Sequence, residues 1–231
     1  MKLIDSKHIM RTFLFLLAGL SLTTSCKDEI TTWDPYANWQ NRNAEWFRQV
    51  SDTARTAIAR AKEQYGDDWA SHCEWRRFKT IQKNPNVQSG NLADTICVKI
   101  IQSGEHAADE HFMPNANDSV RLSYRAWLMP TQYDPGDGQL RTEQRVFSQT
   151  YYGAFSTTTA APILMAVAST VEGFSTALQQ MTEGDDWLIY IPQEQAYGSK
   201  ASDAVPAYST LLYRVYIQGI YANGSGVPDL K

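Results

Sequence analysis

One short stretch of this 231-residue sequence combines side chains that could bind a metal ion. Residues 105–111 contain His106 and His111 together with three carboxylates, and imidazole and carboxylate groups can ligate a divalent metal. The stretch also has the features of a loop tip, because Pro114 and two asparagines follow it closely. We therefore predict a solvated polar loop here and no metal site.

The three cysteines are a second group that could do chemistry. Cys26 follows a basic start and the apolar run 13–20, which is too short to span a bilayer and predicts a secretory signal over residues 1–25. The ending Leu22-Thr23-Thr24-Ser25-Cys26 resembles a bacterial lipoprotein cleavage box, although Thr23 stands where leucine is usual. The resemblance implies a lipid anchor on Cys26 and a location in the bacterial cell envelope, on the periplasmic or surface face of the outer membrane. A plain secretory signal with an incidental cysteine is the alternative.

Cys73 and Cys97 remain in the exported chain. Exported cysteines can pair, but a separation of 24 positions gives no geometric evidence for a disulfide. A disulfide and two free thiols both stay open.

Composition and missing motifs limit the function classes. The formal net charge is −4 and no Lys/Arg-rich run occurs, which argues against a nucleic-acid-binding protein. A hydrophobic fraction of 43% is that of a globular chain. The motifs of phosphate-binding loops, dinucleotide sites, zinc proteases and serine hydrolases do not occur in the sequence, and nothing indicates a soluble cofactor.

Apolar spacing predicts a long helix near the start of the exported chain. From Trp46 onward apolar residues recur at steps of three and four, and Gly66 offers a C-terminal cap. We expect the helix to begin near Asn38 and to be loosely broken around Asn41 and Asn43. Its apolar face could pack on its own domain, which we favour, or form a homodimer.

Short β-prone runs follow from about residue 93. The stretch 134–138 is dense in turn-forming residues, and apolar residues three and four apart predict a short helix over 171–181. An antiparallel sheet with one helix laid across it, an α+β domain, accounts for this pattern. The β-prone runs are 95–101, 119–128, 187–191 and 210–217.

Several short motifs in the second half of the chain follow one another in a characteristic order. They are Gly173-Phe174-x-x-Ala177-Leu178, Met181-x-x-Gly184, Ile191-Pro192-x-x-x-Ala196-Tyr197-Gly198, Val205-Pro206 and the closing Leu211-x-Tyr213-x-Val215. This order resembles the FKBP-type peptidyl-prolyl cis-trans isomerases, and the resemblance covers residues 95–220. It implies an FKBP-like antiparallel β-sheet wrapped on one short helix, and an enzyme that isomerises X-Pro bonds in segments of exported proteins.

The predicted organisation has five parts. They are a lipoprotein signal peptide at 1–25, a tether at 26–36, an N-terminal helical extension at 37–90, an FKBP-like isomerase domain at 93–222 and a C-terminal tail at 223–231.

The resemblance also implies which residues form the site. Phe174 matches the aromatic residue of the pocket floor, Val171 the position whose backbone N–H receives a substrate carbonyl, and Tyr197 the residue whose hydroxyl donates to the bound carbonyl. The remaining matches are wall residues, namely Tyr124, Phe147, Val205 and Tyr213.

Prolyl isomerisation needs no nucleophile, metal or cofactor. Its barrier of about 18–20 kcal/mol is lost amide resonance, and a dry aromatic pocket with one or two hydrogen bonds can favour the twisted amide. Two positions depart from the family: Ser148 stands where it has aspartate, and Phe174 where its most active members have tryptophan. A catalytically weak FKBP-like binding or chaperone module of the cell envelope is therefore the alternative function.

Overall fold

The computed structural model describes residues 34–81, 92–104 and 113–227, which belong to one compact unit, Asp34–Lys231. The predicted signal peptide, Cys26 and the stretch 105–111 lie outside the described residues. Within the described residues, every helix is too short or too polar to cross a bilayer.

A single α-helix, α1, runs without interruption from Trp39 to Tyr65. The break expected around Asn41 and Asn43 is therefore wrong. The buried side chain of Asn43 explains the continuity, because its Nδ2 donates 2.8 Å to the Trp39 carbonyl one turn earlier and so bonds along the helix instead of breaking it. Gly66 ends the helix, as the sequence predicts, and its φ of +57° is a positive value that glycine adopts without steric cost.

The strands form an antiparallel sheet, as expected. The strands are β1 Trp75–Lys79, β2 Thr95–Gln102, β3 Ser119–Leu128, β4 Thr131–Tyr133, β5 Arg141–Glu143, β6 Val146–Gln149, β7 Ile163–Ala166, β8 Asp186–Ile191 and β9 Leu211–Tyr221. The order in the sheet is β1-β2-β8-β9-β3-β6, and β7 pairs with the other half of β3. Strands β4 and β5 form a separate hairpin around the predicted turn at 134–138.

One face of the sheet packs on the short helix α2, which spans Glu172–Leu178. Successive strand residues point to opposite faces, so alternate residues of the central strands β8 and β9 enter this core. Gly173 permits the close approach, since a Cβ at this position would overlap Cγ2 of Ile191. The residues that form this core include Ile96, Val98, Leu122, Phe174, Leu178, Ile189, Ile191, Tyr213 and Val215.

The opposite face of the sheet is partly covered by α1. Phe47 and Ala54 on the buried side of the helix form a second cluster with Cys97 of β2, and Tyr190 of β8 packs against it. The apolar face of α1 therefore packs on its own domain, while its exposed side carries charged residues such as Arg48, which pairs with Glu45 and Asp52.

Strand β1 belongs to the same sheet as the rest of the domain. It lies within the segment 37–90, expected to be a helical extension, and pairs with β2 from Trp75↔Lys99 to Lys79↔Thr95. A 3₁₀ helix at Gly66–His72 connects it to α1. Cys73 and Cys97 are both free thiols, and burial raises the pKa of the Cys97 thiol.

Candidate active site

A cavity of about 550 Å³ lies between the start of α2, the inner side of β3 and β9, and the loop that precedes β9. Every described residue that lines it is uncharged. All seven candidate site residues inferred from the sequence are among them: Tyr124, Phe147, Val171, Phe174, Tyr197, Val205 and Tyr213.

Tyr213 is the residue around which the aromatic lining is arranged. Its ring centroid lies 4.6 Å from that of Phe174, 5.7 Å from that of Phe147 at nearly a right angle, and 6.1 Å from that of Tyr124. These separations are typical of favourable aromatic pairs. The rings come from three strands and one helix, because Tyr213 lies on β9, Tyr124 on β3, Phe147 on β6 and Phe174 on α2.

Burial gives the Tyr213 hydroxyl a strong preference for its neutral form. Only 7% of the residue is exposed, and desolvation raises the pKa of the hydroxyl far above its usual value, with further contributions from Tyr197 and Tyr124. The hydroxyl therefore stays protonated throughout the physiological pH range.

The Tyr124 hydroxyl hydrogen-bonds a neutral partner. It lies 2.6 Å from Oγ of Ser148, and either oxygen can donate. Ser148 and Phe147 are neighbours on β6, so the same strand supplies one ring to the wall and one hydroxyl to Tyr124. The serine thus places a hydroxyl, with no formal charge, beside the cavity.

Val171 and Phe174 reach the cavity from the start of α2. Val171 immediately precedes the helix. The first backbone N–H groups of a helix have no acceptor within the helix, so this end presents hydrogen-bond donors. Phe174 lies one turn further and is only 3% exposed. The start of the helix therefore combines backbone N–H groups with a buried ring.

Tyr197 and Val205 belong to the connection between β8 and β9. Tyr197 is 45% exposed at the cavity mouth, and its carbonyl accepts a hydrogen bond from the Lys200 N–H at 3.1 Å. Val205 is buried and lies between Ala204 and Pro206. Tyr197 thus offers water and ligands a hydroxyl, whereas Val205 offers them an apolar surface.

Sequence reasoning missed part of the lining. Met165 on β7 and Thr170 come from the stretch 154–170, whose apolar composition is visible in the sequence but carries no motif. Their contact with the cavity follows from the pairing of β7 with β3, which short exposed strands do not reveal by periodicity. The other lining residues not inferred as part of the site are Ser148, Ser169, Ser202 and Ala204.

The alternative metal site at His106 and His111 lies outside the described residues. Within residues 34–81, 92–104 and 113–227, no group of three or more His, Cys, Asp or Glu side chains is arranged to hold a metal ion.

Comparison with known proteins gives one family and several relatives. Residues 112–218 match the FKBP_C family, described as FKBP-type peptidyl-prolyl cis-trans isomerase. The chain is 28% identical over 131 residues to the peptidyl-prolyl cis-trans isomerase Mip of Coxiella burnetii, covering 56% of this chain and 46% of that protein. It is also 28% identical over 139 residues to the FKBP-type 22 kDa peptidyl-prolyl cis-trans isomerase of Escherichia coli, covering 59% and 56% respectively. The chain thus spans about half the length of these curated relatives.

Among solved structures, the crystal structure of FkpA from Escherichia coli is similar to this chain with a TM-score of 0.43 and 17% identity, covering 94% of this chain and 83% of that one. The family match and the observed architecture together confirm the FKBP-like fold expected from the sequence: an antiparallel sheet on one short helix, preceded by a long N-terminal helix.

Proposed function

We propose that this protein is a peptidyl-prolyl cis-trans isomerase that acts on X-Pro bonds of exported polypeptides, and the match of residues 112–218 to the FKBP_C family supports this proposal. The observation that supports the proposal is a single uncharged cavity lined by all seven residues selected from the sequence. No charged side chain or cofactor is required, because the reaction makes and breaks no covalent bond.

Catalysis in this cavity would rest on differential binding of the twisted amide. Twisting the C–N bond removes resonance and makes the amide less polar than in its planar ground state. An apolar aromatic pocket therefore favours the twisted form, provided that a few hydrogen bonds hold the flanking carbonyls. Without a catalyst, the X-Pro bond takes tens to hundreds of seconds to isomerise.

Each of the seven candidate residues has a role in this proposal. The rings of Tyr124, Phe147, Phe174 and Tyr213 surround the proline, and Val205 closes one side. The Tyr197 hydroxyl donates a hydrogen bond to one substrate carbonyl at the mouth of the cavity, and the Val171 N–H donates a hydrogen bond to another. Tyr197 suits the task because its exposure leaves the hydroxyl accessible to a polypeptide too large to enter the cavity.

The test is a protease-free isomerisation assay on a short X-Pro peptide with the purified protein. We expect the wild type to accelerate the reaction. Tyr197→Phe should lower kcat/KM about fivefold, since one hydrogen bond contributes about 1 kcal/mol net. Phe174→Trp should raise it, because a larger ring fills more of the cavity floor.

Tyr152→Phe is the matched control for Tyr197→Phe. It also removes a tyrosine hydroxyl, from a residue that is 84% exposed and does not line the cavity, and it should leave kcat/KM unchanged. If neither the wild type nor Phe174→Trp accelerates the reaction, the isomerase proposal is wrong. The protein would then be a binding or chaperone module, as the departures at Ser148 and Phe174 allow.

For its cellular location, we propose export and lipid anchoring at Cys26 in the bacterial cell envelope. The support is the sequence of the leader and its cleavage box. In a bacterial host, the full chain should partition into a detergent phase, whereas Cys26→Ser should be found in the aqueous phase. An aqueous wild type after export would indicate a plain secretory signal.

A homodimer through α1 is the alternative to packing of this helix on its own domain. The burial of the apolar face of α1 on its own sheet and the charged residues on its exposed side favour a monomer.

A further inference from the structure

The N-terminal part of α1 is hydrogen-bonded to the segment that leads into β9. Nε1 of Trp39 donates 2.9 Å to Oγ of Ser209, and Oδ1 of Asn43 accepts from the Thr210 N–H at 2.8 Å. The Thr210 hydroxyl also donates to the Asn43 carbonyl at 3.3 Å. We call these four residues, Trp39, Asn43, Ser209 and Thr210, the clasp. All four are buried, and Asn43 is completely buried, so water cannot readily replace these bonds.

The segment held by the clasp also forms one wall of the cavity. Ser202, Ala204 and Val205 line the cavity a few residues before Ser209. They form a compact turn, in which the Ser202 N–H donates 2.9 Å to the Val205 carbonyl and the Val205 N–H donates 3.1 Å to Oγ of Ser202. The Ser209 hydroxyl in turn donates 2.6 Å to the Pro206 carbonyl, which connects the clasp to this turn.

The same segment contains an unfavourable backbone conformation. Tyr208 has φ +61°, in the left-handed region that residues with a Cβ rarely adopt. Its N–H donates 2.7 Å to the Gly198 carbonyl, next to Tyr197. Such a conformation persists only when surrounding contacts hold it, and the clasp begins at the following residue.

Residues just before α1 add a second connection to the wall. The Arg145 guanidinium donates 2.9 Å to the Tyr36 hydroxyl and 3.2 Å to the Asp203 carbonyl. The Tyr36 ring packs edge-on against Trp39 at 5.1 Å. Both ends of the segment 203–210 are therefore tied to the start of α1.

We propose that Trp39 and Asn43 are positioning residues for the cavity, which hold its Ser202–Val205 wall in the conformation that binds substrate. This inference rests on the proposed function for its substrate, a proline-containing peptide. Releasing the clasp would lower the fraction of molecules whose Ser202–Val205 wall is in the substrate-binding conformation. The apparent affinity for the peptide would fall in proportion to that fraction. Once a peptide is bound and the wall is in place, the isomerisation step itself would be unchanged.

The test compares Asn43→Ala with Ser51→Ala. Ser51 is a matched control because it is a buried polar residue on the same helix, about two turns further along, and its side chain lies beside Cys97 of β2 instead of the wall. Asn43→Ala should raise KM for an X-Pro peptide about three- to tenfold while kcat stays within about twofold of the wild type. Ser51→Ala should change neither.

Amide hydrogen exchange gives a readout that does not depend on catalysis. In Asn43→Ala the Val205 and Tyr208 amides should exchange at least about tenfold faster than in the wild type, whereas the amides of α2 should keep their rates. Trp39→Phe, which retains an apolar ring but lacks the N–H donor, should show the same pattern more weakly if Asn43→Ala does not fold.

The two proposals fail in different ways. Equal KM values and equal exchange rates at Val205 and Tyr208 in Asn43→Ala and Ser51→Ala would overturn the positioning role. Faster exchange at these amides in a protein that accelerates no X-Pro peptide would overturn the isomerase proposal and leave the clasp as the support of a binding wall. A fall in kcat at constant KM would also contradict the positioning role, because it would mean that Asn43 acts on the isomerisation step itself.

Discussion

Tyr213 contacts three other aromatic rings of the cavity and is itself almost fully buried. Its hydroxyl is protonated and neutral at physiological pH, and burial raises its pKa further above that range. The rings packed around it set the shape of the pocket, and this shape depends on side chains from β3, β6, α2 and β9 at once. A change at Tyr213 therefore affects both the cavity and the stability of the domain.

The raised pKa of Tyr213 predicts a loss of stability at alkaline pH. Above about pH 10 the hydroxyl ionises in the unfolded chain but stays protonated in the folded one, so the free energy of unfolding falls as pH rises, by up to about 1.4 kcal/mol per pH unit for this group. Below pH 10 both states hold the proton and the contribution is constant. Tyr213→Phe should therefore show a shallower decline than the wild type in urea unfolding between about pH 10 and 11.5.

Tyr152→Phe serves as the control for this measurement, since its ring is exposed and its hydroxyl is in water in both states. Burial also raises the pKa values of Tyr151 and Tyr190, so part of the alkaline decline should survive in Tyr213→Phe. Parallel declines in Tyr213→Phe and the wild type would mean that the folded state lets Tyr213 ionise.

At the scale of elements, the short helix α2 both packs on the sheet and contributes residues to the cavity. Phe174 enters the cavity, and the preceding Gly173 lies against Ile191 and Ile96 of the sheet. Seven residues make a marginal helix in isolation, so α2 depends on its contacts with the sheet. The glycine fixes how closely the helix approaches, and this distance sets the depth of Phe174.

Gly173→Ala should destabilise the protein by about 1–3 kcal/mol, because the added methyl group would overlap Ile191 in a closely packed core. The better helix propensity of alanine, worth about 1 kcal/mol, offsets part of the strain. Urea unfolding would measure the loss, and Ser175→Ala, on the same helix at a half-buried position, is the control. Unchanged stability in Gly173→Ala would show that α2 moves away from the sheet without cost.

Across the whole molecule, the sequence predicts elements better than it predicts their contacts. The strand Ser119–Leu128 was expected with these bounds, and Gly66 was expected as a cap, because alternation and turn chemistry are local signals. Asn43 was expected to weaken a helix, but it bonds both along α1 and to Thr210, which is 167 positions away. Such a partner is set by the tertiary fold and leaves no trace in local spacing.

The residues of the candidate site also divide into those indicated by local sequence and those placed by the tertiary fold. Residues in motifs, such as Tyr197 and Phe174, could be selected because the spacing of the motif is preserved in the chain. Met165 and Thr170 could not, because their position depends on β7 pairing with β3 and on the 3₁₀ turn at Val167–Ser169 that follows it. The clasp was likewise invisible, since it joins residues that are 167 and 170 positions apart in the sequence.

Under the proposed function, the uncharged lining of the cavity bears on which polypeptides the protein would bind. A site with no fixed charge exerts no long-range attraction on one class of client and no repulsion on another. Recognition then depends on the shape of a proline ring and on the carbonyls beside it, features that nearly all polypeptides share. We therefore expect the cavity itself to discriminate little between acidic and basic peptides, which would suit the proposed action on many different exported polypeptides.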